Sequence, residues 1–113
     1  MAQIKVYGTA KCISTKRALE LMDALGKAYD KIDILTTPVP KWILSKIVVS
    51  WDIGAAFNHH HPDWHKIRDK RFTKASAIEF LQKKPEFIRR PIIVKGREVF
   101  QGYDEEELRK FLK

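Results

Sequence analysis

The 113-residue sequence has one cysteine, two methionines, five glycines and no apolar run long enough to cross a bilayer. A single thiol excludes an internal disulfide, so the fold must rest on a packed core and not on cystine staples. The start, Met1-Ala2-Gln3-Ile4-Lys5, carries no hydrophobic export segment. No stretch approaches the roughly 20 apolar residues of a transmembrane helix. These absences make a cytoplasmic protein with no membrane partner the expectation. Acidic residues are also scarce: 14 Asp and Glu against 22 Lys and Arg leave a formal charge of +8. The cations are spread along the chain with acids between them, and no nucleic-acid-binding motif accompanies them. Direct DNA binding is not expected; the charge suits steering of an anionic small molecule or an acidic protein partner.

The chain is long enough for one core and too short for two, so a single domain over residues 1–113 is expected. Its lone cysteine sits in Val6-Tyr7-Gly8-Thr9-Ala10-Lys11-Cys12-Ile13-Ser14-Thr15-Lys16-Arg17. An alternating segment, Ile4-Lys5-Val6-Tyr7, runs into small residues. Cys12 then opens a stretch with helical spacing at Ala18, Leu19, Met22 and Leu25. A thiol at a helix N-terminus faces unpaired N–H groups and the positive end of the helix dipole, which favour the thiolate. Lys11, Lys16 and Arg17 are expected to push the same way. Two readings of Cys12 stand on residues alone: a reactive nucleophile, or a small buried filler. Thr15, one turn on, either donates its hydroxyl to the sulfur or bonds to backbone.

In chain order, residues 3–7 read as a strand, 12–25 as a helix stopped by Gly26, and 29–34 as a second strand. Together they form a βαβ unit with parallel strands. Residues 36–85 read as helices and turns. Thr37-Pro38 is the expected start of one helix, bearing Trp42, Ile43, Ile47 and Val48; another follows Thr73 and ends at Pro85. Pro91-Ile92-Ile93-Val94, Lys95-Gly96 and Glu98-Val99-Phe100 read as an antiparallel hairpin. Asp104, with Glu107 three residues on, opens a last helix through a capping box. The order is α/β, a thioredoxin-like βαβ…ββα with a helical insertion at about 36–85 between the second and third strands.

The sequence resembles the family that holds glutaredoxin-coupled arsenate reductases (ArsC) and the RNA-polymerase-binding regulators called Spx. Two stretches carry the resemblance: Tyr7 to Ala18 around Cys12, and Phe87-Ile88-Arg89-Arg90-Pro91-Ile92-Ile93-Val94 continuing to Gly102-Tyr103. It implies that Cys12 is the catalytic thiol, with Lys11, Thr15, Arg90 and Pro91 binding the substrate. Pro91 is then a cis-proline facing the cysteine, where the residues alone suggest an ordinary trans proline opening a strand. Arg90 would bind an oxyanion or a glutathione carboxylate through its planar guanidinium. No bound cofactor and no metal are implied; glutathione is the expected co-substrate, with glutathione or glutaredoxin as thiol partner. The alternative is an Spx-like regulator that binds the α subunit of RNA polymerase.

The departures from the family pattern are specific. Arsenate reductases of this type place a histidine four residues before the cysteine, where this chain has Gly8. They also carry two further arginines, opposite which stand Asn58 and the segment Phe100-Gln101-Gly102. One arginine of three, Arg90, remains. Losing two charge-assisted contacts to a tetrahedral oxyanion costs on the order of 1.5–3 kcal/mol each, which argues against arsenate as substrate. Spx regulators carry Cys-x-x-Cys, and here the second position is Thr15. His59, His60, His61 and His65 crowd one loop, but no second ligand set completes a metal site. Trp42, Trp51 and Trp64 all fall in the helical stretch and are expected to be packing residues that fill the space between it and the sheet.

Overall fold

The computed structural model describes residues 3–113; Met1 and Ala2, the first residues of the segment read for an export signal, lie outside them. The chain divides into two compact units, residues 1–37 with 90–113 and residues 38–89. The second is the stretch expected as the helical insertion.

The first unit holds β1 (Ile4–Gly8), α1 (Ile13–Ala24), β2 (Asp30–Asp33), β3 (Ile92–Lys95), β4 (Glu98–Gln101) and α5 (Glu105–Leu112). Its four strands lie in the order β2-β1-β3-β4, with β1 parallel to β2 and antiparallel to β3, and β3 antiparallel to β4. The β-branched run of β3 suits a central strand, and Ile92, Ile93 and Val94 are all buried. Gly96, at φ 64°, closes the hairpin to β4 with the left-handed turn that such short loops favour. One sheet face buries Ile4, Val6 and Ile93 against Ala18, Leu21 and Met22 of α1 and Leu108 and Leu112 of α5. The apolar spacing of both helices thus becomes the core of this unit.

The helix ends follow from local chemistry. Gly26 takes φ 67° after α1, with its N–H on Asp23 O and the Lys27 N–H on Met22 O, the paired bonds of a glycine C-cap. Asp104 caps α5 by accepting the Glu107 N–H at 3.0 Å. This is half of the capping box expected there: the carboxylate caps, and no return bond from the Glu107 side chain occurs among the described residues.

The second unit holds α2 (Lys41–Ile47), a 3₁₀ turn (Ile53–Ala56), α3 (Trp64–Ile67), α4 (Lys74–Lys83) and a 3₁₀ turn (Pro85–Phe87). The expected start at Thr37-Pro38 is corrected here. Pro40 is the N-cap residue of α2, and Pro38 lies before the helix because a second proline two residues on governs where it begins. Thr73 caps α4 through a reciprocal box with Ser76. The centre is Phe57, 1% exposed, with the rings of Trp64, Phe72 and Phe80 at 5.6, 5.2 and 6.0 Å. The tryptophan expectation is met by Trp64 and corrected for the other two: Trp42 is 45% exposed and Trp51 is 86% exposed. Trp51 sits in a turn closed by the Asp52 N–H on Val49 O, which presents its ring outward.

Candidate functional site

Cys12 is the N-cap residue of α1, with extended φ −80° and ψ 120°. Its carbonyl accepts the Lys16 N–H at 3.1 Å, and its N–H donates to Thr9 O at 3.2 Å, so the turn 9–12 leads from β1 directly into the first helical turn. Cys12 is half-buried. This excludes the buried-filler reading and puts the thiol where an incoming reactant meets the positive end of a 12-residue helix with no acidic residue in its first turn.

Burial pushes the Cys12 thiol up, but the opposing influences prevail and leave it below the ordinary thiol value. These are the Thr15 hydroxyl, the Thr15 N–H, the Arg90 charge and the Ser14 N–H. The expected push from Lys11, Lys16 and Arg17 is thus replaced as leading electrostatic cause by Arg90, which lies two residues before β3. None of the donors caps the sulfur with a fully formed bond: α1 has no side-chain cap hydrogen bond, and Thr15 Oγ1 is buried without a partner of regular geometry among the described residues.

The Arg90–Pro91 peptide bond is cis, as the resemblance implies, and the Pro91 carbonyl accepts the Gly102 N–H at 2.8 Å. The bond anchors Pro91 to the end of β4. Cys12, Thr15, Arg90 and Pro91 therefore belong to one unit, and the first three share one electrostatic neighbourhood. Lys11 lies exposed in the turn just before the cysteine. Beside them opens a cleft of about 400 Å³, with Gly8 and Thr15 in its wall and Lys16, Lys31 and Asp33 also lining it. Lys31 escaped the sequence reading. It becomes relevant only through the parallel register that sets it beside Val6, a pairing that no local pattern announces.

The histidines turn to structural work. His59 Nε2 bonds the Gly54 carbonyl at 2.7 Å and its ring stacks on Trp64. His61 stacks on Phe87 and accepts the Asp63 N–H, and His65 Nδ1 bonds the Pro62 carbonyl. No group of three or more potential metal ligands occurs among the described residues. No helix among them is long and apolar enough to cross a membrane.

Comparison with known proteins places this geometry. The sequence model of the ArsC family matches residues 7–111. The global transcriptional regulator Spx 2 of Lactococcus lactis is 24% identical over 113 aligned residues, covering 96% of this chain and 86% of that protein. The Spx regulator of Streptococcus agalactiae is 26% identical over 119 aligned residues, covering 96% and 82%. Among solved structures, a possible arsenate reductase from Streptococcus mutans superposes with TM-score 0.78 at 25% identity, over 91% of this chain and 92% of that one. The arsenate reductase of Vibrio cholerae gives TM-score 0.78 at 19% identity, over 95% of both, which speaks to the fold alone. With thiol, cis-proline and sheet order all in place and the family match running from β1 to α5, the chain belongs to the ArsC family.

Proposed function

We propose that this protein is a single-thiol oxidoreductase in which Cys12 exchanges disulfides with glutathione. The observation that carries the reading is a half-buried cysteine at the N-cap of α1, its thiol held below its ordinary pKa by the Thr15 hydroxyl, two backbone N–H groups and Arg90. The Cys12 thiolate attacks one sulfur of oxidised glutathione. A Cys12–glutathione disulfide forms, and the other half leaves as glutathione thiolate. A second thiolate, from glutaredoxin, then attacks the glutathione sulfur of the mixed disulfide and releases Cys12 as thiolate, so that oxidised glutathione is split at the expense of the glutaredoxin thiol. An external thiol must close the cycle because the chain has no second cysteine. Arg90 and the lysines of the neighbouring cleft supply positive charge for the two carboxylates of the tripeptide, and a reducing cytoplasm suits the cycle. Arsenate is a poorer fit, since Arg90 is the one arginine left of the three expected to clamp it.

The test is mass spectrometry of the purified protein after incubation with oxidised glutathione. The expected result is one glutathionyl group on Cys12, removed by glutaredoxin; an unmodified protein overturns the reading.

A second reading has its own support. The curated relatives are Spx regulators, and Trp51 stands 86% exposed on a tight turn of the second unit, the kind of ring that anchors protein interfaces. On this reading the chain docks on the α subunit of RNA polymerase, and Cys12 is dispensable. Capture of the polymerase α C-terminal domain by wild type but not by Trp51→Ser supports it, and no capture by either removes it.

A further inference from the structure

Gly8 closes β1, and its backbone does not demand glycine: the positive-φ glycines are Gly26, Gly96 and Gly102. Space demands it. A Cβ on residue 8 would fall 2.6 Å from Thr15 Oγ1, 2.7 Å from Thr15 Cγ2 and 3.2 Å from Thr15 Cβ. Residue 8 lies on the same strand face as Ile4 and Val6, which pack on α1, so its side chain would enter the first turn of that helix. Both arms of the threonine fill the room that a side chain at residue 8 would need. Thr15 is itself 5% exposed, with its hydroxyl buried and lacking a partner of regular geometry among the described residues. A buried hydroxyl without a partner is costly, and the cost is relieved when a strong acceptor forms beside it. The one thiol of the chain lies beside it.

We propose that Gly8 is a positioning residue for the thiol chemistry: by lacking a side chain it cedes the wall beside Cys12 to Thr15. This commits the chain to tuning its thiol with a neutral hydroxyl from α1 and excludes any side chain from β1. The inference rests on Cys12 being the nucleophile and assigns a partner to it. It also accounts for a departure from the family pattern, since a histidine at residue 8 and a threonine at residue 15 compete for one volume. Position 8 accepts a side chain only if both arms of residue 15 are lost or turned away.

The test is the rate of Cys12 alkylation by iodoacetamide against pH in wild type, Gly8→Ala, Thr15→Ala, Gly8→Ala/Thr15→Ala and Gly8→Ala/Thr15→Ser, with native folding checked by near-UV circular dichroism. Thr15→Ala is expected to slow alkylation about threefold to tenfold below the thiol midpoint and to move that midpoint upward. Gly8→Ala produces the same change by displacing the hydroxyl, and adds nothing to it in the Thr15→Ala background. Gly8→Ala/Thr15→Ser stays slow, because the serine hydroxyl at the position 2.6 Å from the new Cβ must still turn away from the sulfur. If Gly8→Ala alone does not fold but Gly8→Ala/Thr15→Ala does, the steric exclusion is confirmed directly. A folded Gly8→Ala with the wild-type profile overturns the proposal, as do effects that multiply in the double variant. A wild-type profile in Thr15→Ala overturns it whatever Gly8→Ala does. These measurements read the thiol alone. The expected pattern in a protein that takes up no glutathione refutes the oxidoreductase and keeps Gly8 in its role, whereas glutathionylation with an unchanged Gly8→Ala profile does the reverse.

Discussion

Replacing Arg90 with methionine removes the one side-chain charge that acts on Cys12 from outside α1 while keeping an unbranched apolar stem. A unit positive charge at roughly 5 Å, within the range over which a neighbouring charge generally shifts a pKa, is worth about 0.8 kcal/mol at the dielectric of water, and about 1.7 kcal/mol where protein displaces half of the solvent screening. Cys12 is half-buried, so its value lies between these limits. The thiolate fraction below the midpoint, and with it the iodoacetamide rate, should therefore fall about fourfold to sixteenfold in Arg90→Met at low ionic strength. Near 1 M salt the Debye length shrinks to about 3 Å, and the gap to wild type should close to under about twofold. Arg90→Lys keeps the charge and should lose much less. Equal rates for wild type and Arg90→Met at low salt, or a gap that salt leaves unchanged, would refute the electrostatic role given to Arg90.

The remaining predictions concern pH and packing. The Cys12 pKa is lower in the folded than in the unfolded chain, so its contribution to stability is complete above the ordinary thiol value and is lost as pH falls through the folded one. Wild type should accordingly gain stability over Cys12→Ser as pH rises from neutrality toward the ordinary thiol range; parallel stability curves in urea would contradict this. Asp104→Ala removes the cap on the Glu107 N–H and should cost about 1 kcal/mol, a fall in Tm of about 4 °C by calorimetry. Phe57→Ala empties the centre of the aromatic nest and should cost about 3–5 kcal/mol. Trp51→Ser, at an outward turn, should stay within about 0.5 kcal/mol of wild type in the same denaturant titration.

The elements of the first unit were legible because each carries a local signal. Ile4-Lys5-Val6-Tyr7 alternates, Gly26 and Gly96 stand where positive φ is needed, and Asp104 precedes an amphipathic helix. Cys12 was legible as an N-cap thiol for the same reason. Four features were not. Two prolines lie close together ahead of α2, and spacing alone does not say which one begins the helix; Pro40 does. Trp42 and Trp51 read as packing residues because aromatic rings usually are, whereas the turn at Val49–Asp52 turns Trp51 outward. The partners of the thiol needed three dimensions: Arg90 is far from Cys12 in sequence and acts on it only after β3 pairs with β1. Gly8 likewise looks like a turn residue until Thr15 is seen to fill the space beside it.

The central claim is that Cys12 is a thiolate poised by its surroundings, and the most direct measurement is the pH dependence of its alkylation in the native protein. The account predicts a single ionisation with its midpoint below the value of about 8.5 for a free thiol, returning to that value when the chain is unfolded in urea. A native midpoint at or above the unfolded one would contradict it.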